Sequence, residues 1–153
     1  MDNVRLSGRY QENPERIDER GPNNFCTNMK ICPISNTLNI IGKKFTILIL
    51  RNMMILNQTR FHQFMDSIDD INPKTLSIRL REMEKDRLIE RTVYHEVPVR
   101  IEYTLTEKAM ALTPVLEQMA LFSMKYCSKD VFRGQPPKDV EKIYSDIRSK
   151  FHS

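Results

Sequence analysis

At 153 residues, with 40% apolar and 29% charged side chains, the chain has the size and composition of one globular domain with a moderate core and appended helices. No apolar run approaches the length of a membrane span, and residues 1–24 contain no apolar signal segment, so the expectation is a cytoplasmic protein with no membrane partner. The net charge of +4 decides little by itself: residues 25–59 carry Lys30, Lys43, Lys44 and Arg51 with no acid, whereas residues 60–105 hold eight basic and nine acidic side chains.

Residues 1–24 are polar, of mixed charge, and interrupted by Pro14 and Pro22, which reads as a flexible tail ahead of a domain spanning 25–127. Pro33 opens a short helix carrying Ile34, Leu38 and Ile41. After Gly42, "KKFTILILRNMMIL" is apolar almost all round, which places it at the centre of the fold or in a subunit interface. Asn57 to Thr59 end that helix, and Phe61, Phe64, Met65 and Ile68 then form a stripe at helical spacing.

The turn "DDIN" leads into "PKTLSIRLREMEK", where Asn72 is a good N-cap, Pro73 suits the first helical position, and Ile71 can staple onto Leu76. Leu76, Leu80 and Met83 make the inward stripe; Lys74, Ile78, Arg81 and Lys85 fall opposite. Thr75 and Ser77 add short polar donors to the first turns of the helix. A purely solvated face has no need of Ile78.

"IERTVY" and "RIEYTL" are rich in β-branched and aromatic residues and flank "HEVPV", so they read as an antiparallel hairpin with a protruding tip. Thr106 caps a helix expected to reach about Tyr126, kinked at Pro114. Residues 128–153 are expected to form a helical extension, with a last helix after Pro136 and Pro137 that carries Val140, Ile143, Tyr144, Ile147 and Phe151 on one side. The fold class is therefore mainly α with a small antiparallel hairpin, in the order of a winged helix-turn-helix.

No constellation for chemistry stands out. The four glycines are scattered, "GKKFT" lacks the upstream glycine of a phosphate loop, and His62, His95 and His152 stand far in sequence from any nucleophile. Cys26 and Cys32 have no histidine nearby, so no metal and no cofactor is expected, and three cysteines without a signal segment argue against a disulfide framework.

Beyond the order of elements, the chain resembles the HxlR-type family of transcriptional regulators between Cys32 and Phe122. The similarity rests on "CPI", "LNIIGKKFTILIL", "RFHQF", "LSIRLREMEKDRLIERTVYHEVPVRIEYTLTE" and "LTPVLEQM". It departs at Phe45 and Phe122, where the family usually has tryptophan, and at Lys43, Arg87 and Ala109, where it usually has glycine. A non-glycine residue at 87 costs roughly 1 kcal/mol if the left-handed helix end is kept.

The resemblance implies a homodimer that binds double-stranded promoter DNA, with the helix from Pro73 in the major groove and the hairpin tip near the minor groove or backbone. Lys74, Thr75, Ser77, Ile78 and Arg81 are then the candidate groove contacts, against the plainer reading of a solvated helix face. Arg100 is either a phosphate or minor-groove contact or a cross-strand partner of Glu90 or Glu102. Lys43 and Lys44 either clamp backbone phosphate or solubilise a helix end.

Cys32, next to Pro33, sits where a helix N-terminus favours the reactive thiolate. Some family members sense electrophiles or oxidants at the matching cysteine, and here a small cap residue is the alternative. Cys26 is a possible resolving thiol, and Cys127 a buried or interfacial side chain. Leu112, Val115, Leu116, Met119 and Phe122 exceed what a small winged domain needs for its own core and, with the first helices, offer a dimer surface. A two-fold dimer reads a pseudo-palindromic operator with half-sites about 34 Å apart. A winged module for protein interaction alone is the rival reading.

Overall fold

The elements below follow one another in the computed structural model, which describes residues 29–135 and, beyond them, Asp139, Lys142, Ser145, Asp146 and Ser149. They are α1 (Pro33–Ile41), α2 (Thr46–Leu56), α3 (Phe61–Ser67), α4 (Pro73–Lys85), β1 (Ile89–Tyr94), β2 (Arg100–Leu105), α5 (Glu107–Met110), α6 (Thr113–Tyr126) and α7 (Ser128–Val131). The expected tail at 1–24, Cys26, and the five apolar residues from Val140 to Phe151 lie outside the described residues.

The core forms where the apolar periodicity placed it. Ile49, Leu50 and Met53 of α2 meet Phe64 of α3 and Leu76, Leu80 and Met83 of α4, all buried. Ile89 and Tyr103 of the hairpin and Ala109 and Leu116 of the last helices close the cluster. Burying side chains of this size stabilises by about 1.5–3 kcal/mol each before conformational entropy is set against it.

One fully buried polar residue organises the middle of the domain. Asn52, on α2, donates through Nδ2 to Ser67 Oγ on α3 (2.7 Å) and to Gln58 Oε1 in the connection (3.0 Å), and its Oδ1 accepts from the Arg51 guanidinium. Gln63 Oε1 accepts from the backbone N–H groups of Thr59 and Arg60, both at 2.9 Å, which starts α3. The Tyr103 N–H donates to the Thr59 carbonyl at 2.8 Å, tying the outer edge of β2 to the same connection. A buried amide must find partners, and here the partners lie on three different segments.

Among the described residues, four non-glycine residues adopt left-handed backbone: Phe45, Asn57, Asp70 and Arg87. Asn57 and Asp70 tolerate it well and close α2 and the α3–α4 turn. Arg87, with φ 56°, keeps the geometry expected of a glycine there. The Leu88 N–H donates to the Met83 carbonyl (2.8 Å) and the Arg87 N–H to the Glu84 carbonyl (3.0 Å), while Leu88 and Met83 are both buried. This is a complete Schellman ending, and it reverses the chain from α4 into β1.

The hairpin pairs Ile89 with Leu105, Arg91 with Tyr103 and Tyr94 with Arg100, leaving residues 95–99 as the tip. Past it, the structure differs from the single kinked helix expected between Thr106 and Tyr126. Thr106 does cap, its Oγ1 accepting from the Ala109 N–H at 3.3 Å, but α5 stops at Met110 and α6 starts afresh at Thr113. Pro114 falls in the first turn of α6, where its missing N–H has no intrahelical partner to lose. The proline starts a helix instead of bending one.

Candidate nucleic-acid interface

The candidate surface is built on α4. Asn72 Oδ1 accepts from the Thr75 N–H at 2.8 Å, so the N-terminal turn is held at a defined angle. Ile71 before the cap and Leu76 after it are both buried. With Leu76, Leu80 and Met83 facing the core, the opposite side carries Lys74, Ile78, Arg81 and Lys85, all exposed, with Thr75 and Ser77 half-buried at its flank. Ile78 is 41% exposed and is the apolar member of an otherwise cationic row.

Other cations named from the sequence are placed differently. Lys43 and Lys44 lie in the turn before α2 and not within it. Lys43 Nζ is 3.2 Å from Glu82 Oε1 on α4, and Glu82 also receives Arg79 one turn earlier. Lys44 stacks over the Phe45 ring at 4.7 Å. The Arg100 guanidinium donates to Glu102 (3.2 Å) and Glu96 (3.0 Å) and lies 4.0 Å from the centroid of Tyr94. Glu102 also takes Arg60 at 3.1 Å. Glu102 and not Glu90 is thus the strand partner of Arg100, and Glu90 is paired with Thr104 across the ladder.

Two apolar side chains project from the hairpin tip: Val97 is fully exposed and Val99 is 64% exposed. A cation absent from the sequence reading stands nearby. Arg91 is exposed on β1, and two-residue alternation places it on the same face as Ile89, the face turned toward α4. That alternation is legible in "IERTVY", where Ile89, Arg91 and Val93 share one face.

On another face, α1, α2 and α6 enclose an apolar groove of about 750 Å³, walled by Ile34, Leu38, Leu48, Val115 and Met119. Phe122 and Tyr126 extend the apolar surface along α6, their rings 5.3 Å apart. Of the set named from the sequence, Leu116 is buried and Leu112 packs against the core, so Val115, Met119 and Phe122 make the outward face. Cys32 is the N-cap residue of α1, exposed, with its side chain making no cap bond. Cys127 is half-buried at the α6–α7 junction. Among the described residues no group of histidine, cysteine and carboxylate side chains could hold a metal ion, and no helix is long and apolar enough to cross a membrane.

Comparison with known proteins agrees with this architecture. Residues 40–131 match the HxlR-like helix-turn-helix family. Over 89 residues the chain is 39% identical to the HTH-type transcriptional regulator sll1512 of Synechocystis, a match covering 58% of this chain and 65% of that protein. Over 96 residues it is 38% identical to the HTH-type transcriptional regulator YybR of Bacillus subtilis, covering 63% of this chain and 76% of the relative. Among solved structures, the redox regulator HypR in its oxidized form superimposes with a TM-score of 0.56 at 33% identity, covering 61% of this chain and 96% of HypR.

Proposed function

This chain belongs to the HxlR-like helix-turn-helix family and is a winged-helix transcriptional regulator, and from that premise we propose that it acts as a cytoplasmic homodimer that binds double-stranded promoter DNA sequence-selectively. The observation that carries the reading is the outer face of α4. Lys74, Ser77, Ile78 and Arg81 stand on one capped helix, clear of the core and beside the hairpin. In a major groove, Lys74 and Arg81 reach guanine edges or phosphate and Ile78 meets a thymine methyl, a mixture that a solvated face does not require.

The apolar surface of α1 and α6 supports the dimer. Ile34, Leu38, Met119 and Phe122 are each about half exposed or more, which is costly for a lone domain and ordinary for a subunit interface. A two-fold axis through it sets two α4 helices one DNA turn apart, about 34 Å, and calls for a pseudo-palindromic operator.

Fluorescence anisotropy on fragments surrounding its own gene, at about 0.15 M salt with excess nonspecific competitor, tests this reading. Saturable binding to one fragment, weakened by Arg81→Ala and by Ile78→Ala, is expected. Weak binding to every fragment, indifferent to both substitutions, favours a winged module used only for protein contacts.

A second reading concerns Cys32, an exposed free thiol at the mouth of α1 in a chain similar to a redox regulator. Cys32 serves as a sensor whose oxidation or alkylation changes DNA affinity. Diamide or a quinone should alter operator binding by the wild type and leave Cys32→Ser unmoved; equal responses from both proteins would assign Cys32 a cap role only.

A further inference from the structure

Between α4 and the hairpin lies a second recess, of about 380 Å³, whose lining includes Ser77, Arg81 and Glu84 of α4, Arg91 of β1, and Phe61 and Tyr103 as aromatic walls. Its construction follows from the left-handed turn at Arg87. Because the chain doubles back there, β1 returns along α4, and Arg91 arrives beside residues two turns up the helix. Ser77, Arg81 and Glu84 recur at helical spacing and present one flank of α4 to it.

The two arginines of this recess differ from the paired cations of the domain. Lys43, Arg60, Arg79 and Arg100 are each matched by a glutamate. Among the described residues, Arg81 and Arg91 have no ion-pair or hydrogen-bond partner, and both are exposed. Two guanidinium groups and a hydroxyl thus open on one polar recess that contains a single carboxylate, that of Glu84.

We propose that this recess seats one backbone phosphate of the DNA, held by Arg81 and Arg91 with Ser77 donating, and that Glu84 weakens the seat. The proposal rests on the DNA-binding reading above and adds to it the strand residue that flanks the helix. A helix lying in a major groove has the phosphate rims at its flanks, so a cation carried by the neighbouring strand meets backbone and not base edges. The planar five-donor fork of arginine suits two phosphate oxygens at once. The aromatic walls exclude water from one side of the contact, which strengthens it relative to an open surface pair. Arg91 therefore contributes to affinity on all sequences alike and not to the choice among them.

The test measures binding of the full chain to two duplexes, its best-bound promoter fragment and a mixed-sequence duplex, across a salt series. Each phosphate contact contributes about 0.9 to the slope of log K against log salt. Arg91→Ala is expected to weaken both duplexes by the same factor and to lower the slope by about 0.9 per subunit, with Arg91→Lys intermediate in affinity and unchanged in slope. Glu84→Gln is expected to tighten both duplexes several-fold, a gain that misfolding cannot imitate. If the wild type binds and Arg91→Ala leaves affinity and slope unchanged, or Glu84→Gln fails to tighten binding, the phosphate seat is refuted while the DNA reading stands. If the wild type binds neither duplex, the DNA reading and the seat fall together.

Discussion

Replacing Arg87 by glycine should stabilise the domain. The residue holds φ 56° at the end of α4, a conformation that costs an L-residue roughly 1–2 kcal/mol and glycine almost nothing. Against this stands the larger unfolded-state entropy of glycine, about 0.5–1 kcal/mol. The Arg87 side chain is exposed and has no ion-pair partner among the described residues, so removing it forfeits little. Both Schellman bonds, at 2.8 and 3.0 Å, and the burial of Leu88 and Met83 are backbone or neighbour properties that survive the change.

The net expectation for Arg87→Gly is a gain of roughly 0.5–1 kcal/mol, or about 2–5 °C in Tm for a domain of this size. Arg87→Ala, which removes the side chain but keeps the Cβ, should give no gain, and Arg87→Asn should fall between. Urea unfolding with the three variants measures the series. If alanine stabilises as much as glycine, the strain is not in the backbone but in the charge, and the reasoning fails.

Asn52→Ala should cost about 2–3 kcal/mol in urea unfolding, because it leaves a buried void, removes the amide that donates to both Ser67 and Gln58, and takes from Arg51 its Oδ1 acceptor; a loss under about 0.5 kcal/mol would mean that the network is not maintained in solution. Met119→Glu combined with Phe122→Glu should turn a dimer into a folded monomer in sedimentation velocity, since both side chains face outward from α6; a wild type already monomeric at micromolar concentration would remove the dimer reading. Arg100→Ala should weaken operator binding less than Arg81→Ala does, because Glu96 and Glu102 already occupy its guanidinium. The reverse order in a competition assay would show that this pairing is given up on DNA. Glu102→Gln, which removes the ion pair of Arg60 and one of the two of Arg100, should change stability by no more than about 1 kcal/mol.

Much of the domain was legible in the chain because its signals are local. The bounds of α4 follow from Asn72 and Pro73 at one end, and both strands run as their β-branched and aromatic content suggests. The outward row Lys74, Ile78, Arg81 and Lys85 is periodicity alone, and so is the inward one. Pro114 misled for an equally local reason: a proline within an apolar helical pattern reads as a kink, and whether it bends a helix or begins one depends on where the preceding helix stops. Met110 ends α5 after one turn, and three residues then separate it from the proline.

Sequence by itself determined which face of each helix is apolar, where the turns fall and which end of α4 is capped, because those properties are set within a few residues of the backbone. The tertiary structure decided which charges remain available. Lys43 and Arg100 are matched by Glu82 and Glu102, whereas Arg91 is carried back along α4 to stand beside Arg81. Partners 39 residues apart in the chain, as Lys43 and Glu82 are, leave no mark on local periodicity. An ion pair or a shared recess depends on distances of a few ångströms, and only the packing of one element on another sets those.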